Sequence, residues 1–186
     1  APRSMVPMRR CGFTPAGSFG FVVIGLSLPC AIPAGPSTNL AENMSDAIIA
    51  SRLSYVLNFY GSAFVVNTGC SSSAVALHLA CESLRNRESD LVLAGGVHAC
   101  MDEQTQIRLD EIEMLSPSGR CFTFDQAGDG TIISEGIGMV VLIRLDDALA
   151  AGDPIHGIIV GSGVNQDGAS NGITAPNGVS QEQLIR

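Results

Sequence analysis

The stretch Val66-Asn67-Thr68-Gly69-Cys70-Ser71-Ser72-Ser73-Ala74 is the most informative part of this sequence. It follows the short apolar run 64–66, which predicts a buried strand. It precedes a segment whose apolar positions predict a helix over about residues 71–87. Gly69 permits a sharp turn between the two, because glycine adopts backbone conformations that other residues avoid. The pattern therefore predicts a strand, a tight turn and a helix, with Cys70 in the first turn of the helix.

Cys70 in this position has the setting of a reactive thiol. Unpaired backbone N–H groups and the positive end of the helix dipole stabilise a thiolate, which is the nucleophilic form of cysteine. Gly69 leaves room for a substrate to approach the sulfur, and the serines at 71–73 are expected to cap free N–H groups of the helix. A small buried structural cysteine fits the spacing equally well. A hydrolase elbow fits poorly, because Thr68 and Ser72 stand where that motif has glycine.

The rest of the chain alternates helices with strands. Asp46 can cap a helix over residues 46–57, and Gly152 closes a short helix over 146–151. Continuous apolar runs at 90–97, 139–145 and 155–160 predict strands covered on both faces. Ser180 and Gln183 have capping-box spacing, which predicts a helix start at Ser180. This order predicts a layered α/β fold.

Residues 1–45 are the least regular part of the sequence, with six of its nine prolines. Three arginines (Arg3, Arg9 and Arg10) precede the apolar run 19–28, and small residues follow, which is the order of a signal peptide. The segment 21–25 also predicts a buried strand that ends in a turn, and we favour this interpretation. We therefore divide the chain into an irregular segment, 1–45, which contains this early strand, and a core segment, 46–186.

The overall composition excludes several classes of function. The formal net charge is −8 and all ten basic residues are arginine, so no basic stripe is available for nucleic acid or an anionic membrane. No apolar run is long enough to span a bilayer. The six cysteines form no C-x-x-C pair, which predicts neither a zinc site nor a disulfide framework. Reduced thiols in the cytoplasm are the expectation. The acidic residues near 102–113 predict a solvated helical face.

Several motifs in order resemble the β-ketoacyl synthases, and most closely the ketosynthase domains of modular polyketide synthases. The first is the Cys70 segment, which continues through Ala76-Leu77-His78-Leu79-Ala80-Cys81-Glu82-Ser83-Leu84. It is followed by 90–97, Met114-Leu115-Ser116-Pro117-Ser118-Gly119-Arg120-Cys121, Phe124-Asp125, Asp129-Gly130, Glu135-Gly136-Ile137-Gly138, 164–168 and 170–178. The resemblance covers about residues 46–186.

The resemblance implies a thiolase-like layered α/β fold, of which this chain carries an incomplete part, and a homodimer. Cys70 would accept an acyl group from the phosphopantetheine arm of an acyl carrier protein, and a malonyl-type extender would then be condensed with it by decarboxylation. No bound cofactor is implied. Thr174 matches a family threonine near the pantetheine end of the substrate channel, which makes it a candidate substrate-binding residue.

Some residues depart from the family pattern. Asn67 and Gly69 stand where the family has Asp and Ala. Thr131 and Ile133 stand in a loop where the family usually has aromatic residues and basic or small ones. Two family histidines, a lysine and a Gly-rich oxyanion loop would lie downstream of Arg186, so we expect a fragment that lacks the rest of its active site.

The three histidines of the chain, His78, His98 and His156, are predicted to be packed or surface residues. Two alternatives to a ketosynthase fragment remain open. One is a non-catalytic remnant or dimerising interaction subunit, and the other is a cysteine acyltransferase or hydrolase that uses a local base.

Overall fold

The computed structural model describes residues 6–9, 20–26, 46–99, 103–172 and 175–186. Strands and helices alternate through most of this length, as the sequence predicts. The elements are β1 (Val6–Arg9), β2 (Gly20–Leu26), α1 (Asp46–Leu57), β3 (Ala63–Val66), α2 (Ser72–Arg85), β4 (Leu91–His98), α3 (Gln104–Glu111), β5 (Gly136–Ile143), α4 (Leu145–Ala151), β6 (Gly157–Ile159) and α5 (Gly178–Ile185).

The strands form one mixed sheet in the order β3-β2-β4-β5-β1-β6. β2 runs parallel to β3 on one side and to β4 on the other, with Ile24 opposite both Val65 and Gly95. β5 is antiparallel to β4 and to β1, and β1 is antiparallel to β6. The carboxyl ends of β3, β2 and β4 therefore lie at the same edge of the sheet, where α/β proteins commonly place their ligands.

Helices cover both faces of the sheet. Alternate residues of β4 point to opposite faces, so the two sides of this strand pack against different helices. Val92 and Ala94 pack with the buried face of α2, in a cluster that also holds Leu84 and Leu142. Leu91 and Leu93 pack on the other side with Ala50 of α1. All residues from 91 to 95 are buried, which confirms the prediction of a strand covered on both faces. The fold is the thiolase-like layered α/β class predicted from the sequence.

The observed elements match the sequence predictions closely at the first helix and the early strand. α1 has the predicted bounds, and the apolar run predicted as a strand at 21–25 is β2, in the middle of the parallel part of the sheet.

The start of the last helix differs from the prediction. α5 starts at Gly178, and Asn177 is its N-cap, accepting hydrogen bonds from the N–H groups of Val179 and Ser180 at 3.1 and 3.4 Å. Ser180 is therefore inside the helix and does not cap it.

Arg144 joins two distant parts of the fold. Its guanidinium donates to the carbonyl oxygens of Leu84, at 3.3 Å, and Ser89, at 2.6 Å, in the connection between α2 and β4. It also contacts the carboxylates of Asp90 and Asp147, each at 2.6 Å, and its side chain is only 11% exposed. The junction of β5 and α4 is thereby fixed to the end of α2 and the start of β4.

Candidate active site

Cys70 lies in the turn between β3 and α2. β3 ends at Val66, Ser71 is the N-cap of α2, and the helix begins at Ser72. The sequence predicted Cys70 in the first turn of the helix, but it is exposed and precedes the N-cap by one residue, so it lies just outside the helix. Gly69 has a φ of 68°, and a Cβ added to it would meet no atom within 4 Å. Glycine adopts this backbone conformation more easily than the alanine of the family pattern, and the space around this position stays open.

The serines after Cys70 stabilise the turn, whereas the sequence predicted that they would cap the helix. Ser71 makes no side-chain cap bond; its hydroxyl donates to the Thr68 carbonyl oxygen at 3.0 Å. The Ser72 hydroxyl is buried, accepts from the Thr68 N–H at 2.8 Å and donates to the Gly69 carbonyl oxygen at 2.6 Å. These bonds hold the backbone on both sides of Cys70, which fixes the position of its sulfur.

Asn67 takes part in the same turn, although the family pattern has an aspartate there. Its side-chain oxygen accepts a hydrogen bond from the Gly69 N–H at 3.2 Å. An aspartate oxygen would accept the same bond, because both side chains form turns of this kind with the backbone two residues on. The substitution therefore leaves the turn intact.

A cavity of about 450 Å³ lies beside Cys70, between the start of α2 and the sheet. Its wall is formed by the first two turns of α2, the carboxyl end of β4, and β5 with the two residues before it. Two of its lining residues, Gly136 and Gly138, have no side chain, and a Cβ on either would meet no atom within 4 Å. The cavity is therefore open along β5, and Cys70 lies on its wall.

His98 also lines this cavity, a placement that the sequence analysis missed. It is the last residue of β4 and is half-buried, and its Nδ1 lies 2.7 Å from the carbonyl oxygen of Ser134. His78 lies elsewhere, with its Nδ1 3.0 Å from the Ser162 hydroxyl, and His156 is exposed. These two fit the prediction of packed or surface histidines. His98 was missed because only the strand order reveals that the ends of β3 and β4 lie at one edge of the sheet.

The other described cysteines have different surroundings. Cys81 is fully buried in α2, and burial raises the pKa of its thiol, an effect that the nearby Arg85 partly offsets. Cys121 is exposed on a loop, 3.4 Å from the Thr123 hydroxyl. Among the residues that the structure describes, no three His, Cys, Asp or Glu side chains are grouped so that they could hold a metal ion. The candidate substrate-binding residue Thr174 lies outside the described residues.

The described sheet has helices on both faces, and Cys70 lies between a strand and a helix on the wall of a cavity, which fits the thiolase-like fold predicted from the sequence. Residues 33–148 match the sequence profile of the β-ketoacyl synthase N-terminal domain. The chain belongs to the β-ketoacyl synthase family.

Relatives with a similar sequence are polyketide synthases. The chain is 48% identical, over 160 residues, to a phenolphthiocerol/phthiocerol polyketide synthase of Mycobacterium tuberculosis, and the match covers 86% of this chain and 7% of that protein. It is 48% identical, over 146 residues, to the polyketide synthase PksL of Bacillus subtilis, and that match covers 78% of this chain and 3% of PksL. The chain therefore spans only a small part of the length of these relatives.

Solved ketosynthase structures share the fold. The ketosynthase from module 6 of the bacillaene synthase of Bacillus subtilis has a TM-score of 0.79 and 42% identity, over 90% of this chain and 29% of that one. The oxazolomycin ketosynthase domain OzmH KS7 of Streptomyces albus has a TM-score of 0.82 and 33% identity, over 90% of this chain and 30% of that one. The chain corresponds to less than a third of a solved ketosynthase.

In the stretches that the structure describes, every helix is too short or too polar to span a membrane.

Proposed function

We propose that Cys70 is the nucleophile of a condensing reaction in polyketide synthesis. The observation that carries this proposal is the position of its exposed thiol, which lies between the end of β3 and the start of α2, on the wall of a cavity. The Cys70 thiolate attacks the carbonyl of an acyl thioester, the new S–C bond forms, and the carrier thiol leaves. A malonyl-type extender then loses CO₂, and the resulting carbanion attacks the carbonyl of the Cys70 thioester. The new C–C bond forms the β-ketoacyl product, the bond from that carbonyl to the Cys70 sulfur breaks, and the Cys70 thiolate is released.

The proposed substrates arrive on the phosphopantetheine arm of an acyl carrier protein, and Thr174 is proposed to lie near that arm. The relatives in sequence are polyketide synthases, which supports a carrier-borne acyl chain as the substrate class. The proposal includes a cytoplasmic location and no nucleic-acid or membrane partner, in keeping with a net charge of −8 without a single lysine. We also retain the division at residue 45 as part of this proposal.

We propose a homodimer as the assembly, with β3 at the contact. β3 is at the end of the described sheet, where an edge strand can pair with another chain. α1 packs beside β3 and exposes Tyr55 and Val56, which are 88% and 76% exposed. An exposed apolar patch beside the last strand of the described sheet is typical of a protein–protein contact.

A non-catalytic remnant is not favoured. The turn that holds Cys70 keeps its backbone and serine hydrogen bonds, and the glycine beside the sulfur keeps an open approach. A chain retained only for interaction with a partner would have no use for these features.

The test of the proposed function is acylation of the full chain by an acyl-N-acetylcysteamine thioester, followed by intact and peptide mass spectrometry. We expect one acyl group, located on Cys70, and no such adduct in Cys70→Ala. Cys121→Ala is the matched control, since Cys121 is also exposed, and it should be acylated like the wild type. Equal acylation of Cys70 and Cys121 would remove the basis of the proposal.

The second half of the reaction is tested with malonyl-carrier protein. These 186 residues contain no His-Gly-Thr-Gly-Thr motif and none of the oxyanion loop of the family. Loss of even one oxyanion donor costs roughly 10²–10³ in rate. We therefore expect this polypeptide to form the Cys70 thioester but no β-ketoacyl product. Product above the Cys70→Ala background would show that histidines within the chain suffice.

A further inference from the structure

We propose that His98 accepts the proton of the Cys70 thiol, directly or through one water molecule in the cavity, and so prepares the thiolate for acylation. This inference rests on the proposed role of Cys70. It assigns a function to a histidine that no local sequence pattern connects with the nucleophile, because the two residues are separated along the chain by all of α2 and most of β4.

The topology explains why Cys70 and His98 line the same cavity. β3 and β4 both run parallel to β2, so the turn after β3 and the last residue of β4 reach the same edge of the sheet. α2 begins at this edge and packs across β4. Its first turns therefore line the cavity together with His98.

The hydrogen bond of His98 determines which of its ring nitrogens carries the hydrogen. The partner of Nδ1 is a backbone carbonyl oxygen, that of Ser134 at 2.7 Å, which can only accept. Nδ1 therefore carries the hydrogen and donates it. In the neutral ring this leaves Nε2 with the lone pair, which is the arrangement needed in a proton acceptor.

The cavity wall holds few other titratable groups. Besides Cys70 and His98, the described lining includes one carboxylate, that of Glu135, while α2 contributes the uncharged Ser72, Ser73 and Leu77. His98 is therefore the one histidine among the described residues that line the cavity with Cys70.

The proton balance of the step is complete within the site. The Cys70 proton moves to Nε2 of His98, and the thiolate attacks the acyl carbonyl. The bond from that carbonyl to the carrier sulfur breaks, and the leaving thiolate takes the proton back from His98. The ring ends in its neutral form, ready for another cycle.

The test is the pH dependence of Cys70 alkylation by iodoacetamide in the full chain, measured by peptide mass spectrometry. His98→Asn is the informative variant, because the asparagine amide can still donate to the Ser134 carbonyl oxygen while Nε2 is lost. A free thiol is only about 1% ionised at pH 6.5, so loss of its proton acceptor should slow Cys70 at that pH by roughly tenfold or more. We expect a shoulder of reactivity between pH 5 and 8 in the wild type, where imidazole changes its charge, and a single rise toward alkaline pH in His98→Asn.

His78→Asn is the matched control, since His78 also uses Nδ1 for a hydrogen bond but lies outside the cavity lining. It should keep the wild-type profile, and circular dichroism should show the same fold in all three proteins. A His98→Asn profile identical to the wild type, with Cys70 still acylated by the thioester, would overturn the role of His98 alone. Failure of Cys70 to be acylated in the wild type would overturn the proposed function and this inference together.

Discussion

At the scale of single residues, the described cysteines of this chain differ in how exposed their thiols are. Cys70 and Cys121 are exposed, whereas Cys81 is fully buried and its pKa is raised by that burial. Alkylation requires both access and the thiolate form, and Cys81 is disfavoured in both respects.

We therefore predict that iodoacetamide near pH 7 modifies Cys70 first, Cys121 more slowly, and Cys81 only when the chain unfolds. Timed quenching followed by peptide mass spectrometry gives the three rates, and the same experiment in denaturant gives their unfolded values. Comparable rates in the folded and unfolded chain would contradict the described burial of Cys81. Equal rates for Cys70 and Cys121 would show that the surroundings of Cys70 at the start of α2 do not activate its thiol.

At the scale of secondary-structure elements, Arg144 is the main polar connection between distant segments of the described fold. Replacing Arg144 with Ala leaves the carbonyl oxygen of Ser89 without the guanidinium donor and separates two carboxylates from their cation. The Leu84 carbonyl oxygen loses one of its two donors and keeps the Arg87 N–H at 3.2 Å. Loss of such a partner costs roughly 1–3 kcal/mol in the free energy of unfolding. We expect a destabilisation of that order in urea unfolding monitored by circular dichroism.

Arg186 supplies the matched control for this prediction. Like Arg144, it pairs with a carboxylate, that of Glu182, but its side chain is 78% exposed. Exposed pairs contribute about 0–1 kcal/mol, so Arg186→Ala should unfold close to the wild type. Arg144→Lys should recover only part of the loss, because an ammonium cannot reproduce the fork of a guanidinium. A loss no greater in Arg144→Ala than in Arg186→Ala would show that the Arg144 contacts contribute little.

The secondary-structure elements also show which features of the fold could be predicted from the sequence. Helix α1, the early strand β2 and the turn at Gly69 follow from local patterns, because each depends on residues close in sequence. The sequence predicted the cap of α5 at Ser180, but the N-cap is Asn177, three positions earlier, because capping-box spacing does not determine the backbone geometry of a helix start. That His98 and Cys70 line one cavity depends on strand order, which periodicity does not encode.

At the scale of the whole molecule, the exposed patch on α1 beside β3 leads to a prediction about assembly. The double variant Tyr55→Asp/Val56→Asp places two charges in this patch and should shift the chain from dimer to monomer in sedimentation velocity. Ile185→Asp, at a position 86% exposed on α5, introduces the same kind of charge away from β3 and should remain dimeric. A wild type that is monomeric at every concentration, or a double variant that stays dimeric, would contradict the proposed homodimer.

The arrangement of the sheet also has a consequence during synthesis on the ribosome. β1 precedes every other described strand in the sequence, yet its partners are β5 and β6, which follow it by more than a hundred residues. β2 similarly emerges well before β3 and β4. At about 5–20 residues per second, β1 remains without its partners for on the order of ten seconds. The nascent chain therefore carries β1 and β2 without their partners until the later strands have been made, and we expect its yield to depend on the chaperones that bind such segments.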